Sequence, residues 1–312
     1  MKKILIIGAK GMLGQELAKI FRNDKNYKVI AWDKEDLDIT NEVAVNKKIK
    51  VIHPEIIINS AAYNAVDKCE DSKEYKIAQK VNGLAPGYLA KIAKKLKATL
   101  VYYSTDYVFS GEDPEIEEPG GCTNFCGTCG LHSGFMPQIG YLENSKPKPI
   151  NKYGKTKLLG EEEVQKNIKN YYIIRTSKIF GKPAKAEGAK KSFFDTILEL
   201  GKNSPSGEKK VKIIDNEVSC FTYAPDLARK TKEILEAKKP FGIYHVTNSG
   251  ACTWYEAALE LYKQKKLKTQ VIPIDSSDLK RPAKRPEISV LINTKLNPMR
   301  NWKEALKEYL KK

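Results

Sequence analysis

Tyr153 and Lys157 stand four residues apart in the run YGKTK, a spacing that puts both on one face of one helix. A tyrosine is a poor acid or base near neutral pH, because its reference pKa is about 10. A neighbouring ammonium favours the phenolate and brings the group toward a working value, so the pair reads as a proton donor and its tuner. Upstream, YYSTDYVF carries the hydroxyls of Ser104 and Thr105 at the end of a β-rich run. A third group is GGCTNFCGTCGLHSG, where Cys122, Cys126, Cys129 and His132 have C-x3-C-x2-C-x2-H spacing. Three thiolates and an imidazole suit a structural zinc or another metal, but the same residues fit a redox-sensitive disulfide or a reduced loop without ligand.

These groups need elements to position them. KKILIIGA and YKVIAWD read as strands, PEIIINSAA as a fully apolar one, and TLVYYST as a fourth that ends on Ser104 and Thr105. Helical patterns separate them: GMLGQELAKIFRND, EVAVNKKIKVI, and SKEYKIAQKVNGLAPGYLAKIAKKLKA with a break near Gly83 to Pro86. Such alternation means a parallel sheet covered on both faces, and ligands of such sheets bind at the carboxyl edge, where Thr105 falls. Gly8, Gly11 and Gly14 form G-x-x-G-x-x-G at the first strand-to-helix junction. Glycines there permit a tight turn and let backbone N–H groups approach a pyrophosphate at the positive helix end. Asp33, about twenty residues further at the end of the second strand, is placed to accept hydrogen bonds from an adenosine ribose. The fold class expected is therefore α/β, a Rossmann-type doubly wound parallel sheet over residues 1–180. A smaller, mixed C-terminal substrate domain would occupy mainly 181–312, with some segments returning to the first domain. A glycine- and proline-rich insertion at about 111–139 carries the cysteine loop.

The chain has 312 residues, 41% hydrophobic and 30% charged, with a net charge of +17. Only six of its 55 basic residues are arginine, and the lysines are spread through helical segments. That reads as a solvated lysine-rich surface rather than a nucleic-acid stripe, leaving a weak general attraction for anionic substrates. No apolar run is long enough to span a bilayer, and the one after MKK stops at Gly8, too short for a signal peptide. A cytoplasmic protein with neither membrane nor nucleic-acid partner is expected. Oligomeric state is not legible, and a homodimer is compatible with the chain.

Taken together, GAKGMLGQEL, LDIT, INSAAYNAVDKCE, YSTDYVFSG, PINKYGKTKLLGE, IIRTS and GIYHVTNSGACTWYEAA resemble the extended short-chain dehydrogenase/reductase family. The finer resemblance is to its dTDP-4-dehydrorhamnose reductase branch, and it covers nearly the whole chain except 111–139. It implies NADPH- or NADH-dependent reduction of the 4-keto group of a nucleotide-linked 6-deoxy sugar, dTDP-4-dehydro-L-rhamnose to dTDP-L-rhamnose. Tyr153 would then protonate the sugar oxygen, Lys157 would tune it and hold the nicotinamide ribose, and Thr105 would hydrogen-bond the substrate. Gly11, Met12 and Leu13 would meet the pyrophosphate, Asp33 the ribose, and Asp38 and Ile39 the adenine. Ala62, Tyr63, Asn64 and Tyr103 would line the cofactor channel, Asp106 would touch the sugar, and Arg281 and Arg285 would grip the diphosphate. Asp33 favours NADH by repelling a 2′-phosphate, whereas Lys34 beside it would receive one. The chain departs from the branch at Lys178, where a tryptophan is usual, and in DNEVSCFTYAPD from Asp215. A sugar-nucleotide epimerase or dehydratase of the same fold, and a non-catalytic regulatory subunit, remain the alternatives.

Overall fold

The computed structural model describes residues 1–117, 138–185, 191–202 and 210–311. Its centre is a six-stranded sheet built from β1 (Lys2–Ile7), β2 (Tyr27–Trp32), β3 (Ile56–Asn59), β4 (Thr99–Thr105), β5 (Tyr171–Thr176) and β6 (Gly242–His245). Their order is β6-β5-β4-β3-β1-β2 and every pairing is parallel. The topology reverses direction between β1 and β3, so a crevice opens there at the carboxyl edge.

Alternation along the strands feeds two cores. Ile4, Ile6, Ile58, Val101, Tyr103 and Ile174 point to one face and meet α1 (Met12–Arg22) and a later helix, Ala224–Glu236. Leu5, Ile7, Ile57, Leu100 and Ile173 point to the other and meet α2 (Glu42–Ile52), α4 (Ala85–Leu96) and α5 (Lys152–Asn167). Each fully buried aliphatic side chain adds about 1.5–3 kcal/mol relative to exposure, which is why apolar strands seek cover on both sides. The break expected near Gly83 to Pro86 is a π-helical turn, Gln79–Leu84, between α3 (Ser72–Ala78) and α4. Pro86 follows directly on that π turn in a continuous helical run, where its missing N–H interrupts the hydrogen-bond ladder.

A third core lies beyond the sheet, centred on Phe180, Phe194, Phe221, Tyr262 and Trp302. It includes a parallel pair, Lys210–Ile214 with Gln270–Ile274. The helix Ala224–Glu236 and strand β6 come from the same C-terminal half but pack in the first body. The long segment after β4, expected to lack regular structure, begins and ends in an antiparallel ribbon that pairs Glu115–Glu117 with Gln138–Gly140. Cys122, Cys126, Cys129 and His132 lie between those strands, outside the described residues.

Arg175 on β5 is buried against Glu161 of α5, donating from Nε (3.0 Å) and Nη2 (2.7 Å). Its Nη1 reaches the Glu143 carbonyl and His245, and His245 is held near pKa 3 by burial and by the Arg175 charge. Removing one partner of a buried pair strands the other charge. Arg175→Met should therefore destabilise the protein by about 3–5 kcal/mol in chemical denaturation. The double change Arg175→Met with Glu161→Leu should recover most of that loss.

Candidate active site

Gly8 follows β1 at φ +78, a left-handed conformation that glycine adopts freely, and a Cβ there would sit 2.7 Å from the Ala61 nitrogen. A Cβ on Gly14 would fall 2.0 Å from the Gly8 carbonyl oxygen, so α1 can pack this closely only with glycine at that place. Gly11 is the N-cap of α1, and no side chain among the described residues caps it. The first-turn N–H groups, including those of Met12 and Leu13, are thus left for an anion at the positive end of the helix. This cradle fits a dinucleotide pyrophosphate.

Around it the cofactor-side residues take distinct roles. Asp33 ends β2 and accepts from the Lys10 N–H (2.8 Å) and the Lys34 N–H (2.8 Å), which ties the strand end to the glycine turn. Asp38 accepts from the Thr40 hydroxyl, which holds its carboxyl below the usual range, and Ile39 is buried in the sheet core. Ala62, Tyr63 and Asn64 follow β3 at the crevice. Tyr63 is fixed by Asn82: its N–H donates to Asn82 Oδ1 (2.8 Å) and its carbonyl accepts from Asn82 Nδ2 (3.0 Å). Asn82 also donates to Thr156 on α5 (3.1 Å), so this buried amide ties the segment after β3 to the helix that carries Tyr153 and Lys157. Tyr103 differs from expectation: its ring lies in the core with its hydroxyl 2.7 Å from Thr231 Oγ1, and only its carbonyl meets the site.

That carbonyl accepts from Lys157 Nζ (2.5 Å). Tyr153 and Lys157 share the first turns of α5, whose N-cap Asn151 accepts from the Gly154 N–H (2.7 Å). Asn151 also donates to the Lys284 carbonyl, fastening the helix start to the C-terminal segment. The Tyr153 hydroxyl is 3.4 Å from Asn64 Oδ1, and the Thr105 hydroxyl acts on it as a hydrogen-bond partner. From the helical spacing, Lys157 is expected to draw the Tyr153 pKa down. Instead burial, with the Asp106 charge behind it, pushes the phenol well up, and the Thr105 hydrogen bond opposes this only partly. The reason lies in Lys157 itself: burial lowers its pKa to about 7, against the pull of Glu161 one turn on. Its ammonium is half neutral near pH 7 and turned to the Tyr103 carbonyl.

Thr105 ends β4 opposite Thr176 in the ladder and donates to Asp106 Oδ1 (2.9 Å). Ser104, its neighbour, is buried with a hydroxyl that has no partner among the described residues. Asp106 meets hydroxyls on every side rather than an open crevice. Its Oδ2 accepts from Ser177 (2.9 Å), Ser219 (3.1 Å) and Ser289 (2.7 Å), and burial raises its pKa against those bonds. Arg281 and Arg285 both engage carboxylates. Arg281 pairs with buried Glu217, and Arg285 holds Asp67 through Nη1 (2.5 Å) and Nη2 (2.7 Å). The unusual stretch from Asp215 is thus used internally, Glu217 on Arg281 and Ser219 on Asp106. Asn82 and Asn151 carried no assigned role in the sequence. Asn151 had a local signal, an Asn just before a helix; Asn82 acts over distance and had none. Among the described residues no cluster of three or more His, Cys, Asp or Glu is arranged to hold a metal. Among them, too, no helix is long and apolar enough to cross a membrane.

A glycine cradle at the switch point of a Rossmann sheet, with threonine, tyrosine and lysine at the adjoining strand ends, defines an NAD(P)-linked oxidoreductase of the extended short-chain dehydrogenase/reductase class. Within it the chain belongs to the RmlD substrate binding domain family, whose profile matches residues 1–312. It is 37% identical to a dTDP-4-dehydrorhamnose reductase from Clostridium acetobutylicum of known structure, with a TM-score of 0.84 over 99% of this chain and 98% of that one. A Bacillus anthracis dTDP-4-dehydrorhamnose reductase solved in complex with NADP is 31% identical, with a TM-score of 0.84 over 99% of both chains. The spore coat polysaccharide biosynthesis protein SpsK of Bacillus subtilis is 32% identical over 99% of this chain and 97% of its own.

The Lys157 ammonium is present below its pKa and lost above it. If it holds the nicotinamide ribose, kcat/KM for NAD(P)H should fall as pH rises through about 7. Lys157→Met should lower the plateau and remove that limb from the pH profile.

Proposed function

We propose that this chain reduces the 4-keto group of a nucleotide-linked 6-deoxy sugar, converting dTDP-4-dehydro-L-rhamnose to dTDP-L-rhamnose. The observation that carries this is the meeting of Thr105, Tyr153 and Lys157 at the carboxyl edge beside the glycine cradle. NAD(P)H, when bound, supplies the hydride that attacks C4 of the sugar. Tyr153 delivers the proton to the oxygen that becomes the C4 hydroxyl. A phenol whose pKa is raised by burial is fully protonated at neutral pH, the state a donor needs, while the alkoxide forming beside it is a stronger base still. Thr105 gives its one hydroxyl proton to Asp106, which leaves its oxygen as an acceptor for the Tyr153 hydroxyl; it would donate to the substrate oxygen only on releasing Asp106. Lys157 would bind the ribose and supply positive charge as the phenolate forms.

NADPH is the proposed cofactor. Both Asp33 oxygens are occupied by backbone N–H groups of residues 10 and 34, which weakens their claim on a ribose hydroxyl. Lys34 follows Asp33 in the chain, and Lys10, whose backbone meets Asp33 and whose Nζ pairs with exposed Glu35 (2.9 Å), lies at the same strand end; either ammonium suits a 2′-phosphate, and the B. anthracis relative was solved with NADP. Arg281 and Arg285 suit the diphosphate by their planar fork, and would exchange Glu217 and Asp67 for phosphate oxygens on binding.

Purified protein with dTDP-4-dehydro-L-rhamnose should oxidise NADPH stoichiometrically, followed by loss of absorbance. Tyr153→Phe should lower kcat by roughly 10²–10⁴-fold with little change in KM for NADPH. No net NADPH oxidation, or an unchanged rate in Tyr153→Phe, would sink the assignment.

A further inference from the structure

Lys178 stands two residues past the end of β5, close to where Thr105 and Thr176 face each other in the ladder. Its backbone has φ +41, in the left-handed region that disfavours any side chain with a Cβ. The conformation is held from behind: its carbonyl accepts from the Thr222 N–H (3.3 Å), and Ile179 continues into a parallel pair with Thr222. The Nζ atom is buried and has no hydrogen-bond partner among the described residues. It lies 3.8 Å from the Trp254 ring centroid and 5.3 Å from that of Phe221.

The charges facing it do not use its donors. Asp106 is engaged with Thr105, Ser177, Ser219 and Ser289, while Glu217 is engaged with Arg281 and the Trp254 indole N–H (3.0 Å). Cys220 and Cys252, also nearby, have thiol pKa values raised by burial and are neutral near pH 7. A lysine that merely filled this space would be better replaced by an apolar side chain, because a buried ammonium without an acceptor is costly.

We infer that Lys178 is a substrate-binding residue whose ammonium donates to an oxygen of the sugar in the bound sugar nucleotide. The inference rests on the reading of this crevice as a sugar-nucleotide site. The sugar rather than the diphosphate is favoured by position: Lys178 is two residues past Thr176, the ladder partner of Thr105, and its charge acts on Asp106, which accepts the Thr105 hydroxyl. Arg281 shares Glu217 with it, so the dTDP arm of the test below separates the two parts of the ligand. A sugar also matches the unused donors with its oxygens.

The test is calorimetric binding of dTDP-L-rhamnose, dTDP and NADP⁺ to the full chain, wild type against Lys178→Met and Lys178→Gln. Methionine keeps the stem and removes the donors; glutamine returns a donor without charge. Lys178→Met should weaken dTDP-L-rhamnose roughly ten- to hundredfold, the range of a charge-assisted hydrogen bond. Binding of dTDP and of NADP⁺ should stay within about twofold, Lys178→Gln should recover part of the loss, and the Met variant should melt no lower than wild type. Unchanged sugar-nucleotide affinity would overturn the inference. So would an equal loss for dTDP, which would make the cation a diphosphate ligand, or a matching loss for NADP⁺. A wild type that binds dTDP-L-rhamnose but oxidises no NADPH with its 4-keto precursor removes the reductase reading and leaves this inference standing. One without affinity for dTDP-L-rhamnose ends both.

Discussion

The buried carboxylate of Asp106 is the constraint on which the rest of the site depends. It is 3% exposed and takes hydroxyl donors from four separate stretches of chain: Thr105 at the end of β4, Ser177 past β5, Ser219 in the C-terminal half, and Ser289 near the chain's end. A bare carboxylate in this position would cost several kcal/mol, so each donor is under strong pressure to stay in place. The result is a single point that fixes Thr105 relative to the sheet and ties both to the C-terminal stretches that carry Ser219 and Ser289. Hydroxyls suit the task better than a lysine or arginine would. They satisfy lone pairs without neutralising the charge, so the field of Asp106 still reaches Tyr153.

That field helps to set the state of the Tyr153 phenol. Burial and Asp106 both act to keep the phenol protonated, and Thr105 alone among the named groups pulls the other way. Lys157 works on a different axis. Its own ammonium is destabilised by burial and supported by Glu161, which is in turn neutralised by Arg175. The chain therefore holds a donor that is charged only part of the time near neutral pH, facing a backbone carbonyl. Two residues that share a helix face thus have their pKa values shifted in opposite directions, both toward the neutral form, by surroundings that the helix does not provide.

Much of the scaffold was legible because its signals are local. Apolar strand runs, the three glycines after the first strand, and the four-residue spacing of Tyr153 and Lys157 are each contained in a window of a dozen residues or fewer. The break near Gly83 was also visible, although its form was not: the chain absorbs it in a π turn that puts Asn82 against Tyr63 and Thr156. What escaped is what only contact creates. Nothing near Ser219 or Ser289 marks it as a partner of Asp106. The inversion of the Tyr153 shift needs the depth of burial, and the inward turn of the Tyr103 ring needs Thr231, 128 residues away. The same holds for Arg281 and Arg285, whose carboxylate partners are 64 and 218 residues distant.

In a chain with 55 basic residues only six are arginine, and five of these, Arg175, Arg229, Arg281, Arg285 and Arg300, form ion pairs with Asp or Glu. Four of those pairs, at Arg175, Arg281, Arg285 and Arg300, use two guanidinium nitrogens on one carboxylate, the geometry that a lysine cannot reproduce. Lysine supplies the solvating surface, where direction is unimportant. Arginine is kept for joints whose geometry must be held. By that division Lys157 and Lys178 stand apart, since both are lysines in covered positions whose donors meet no carboxylate among the described residues. Lys157 gives its donor to the Tyr103 carbonyl, whereas the Lys178 Nζ has no hydrogen-bond partner there, and so the directional cations hold the fold together while this ammonium is left over.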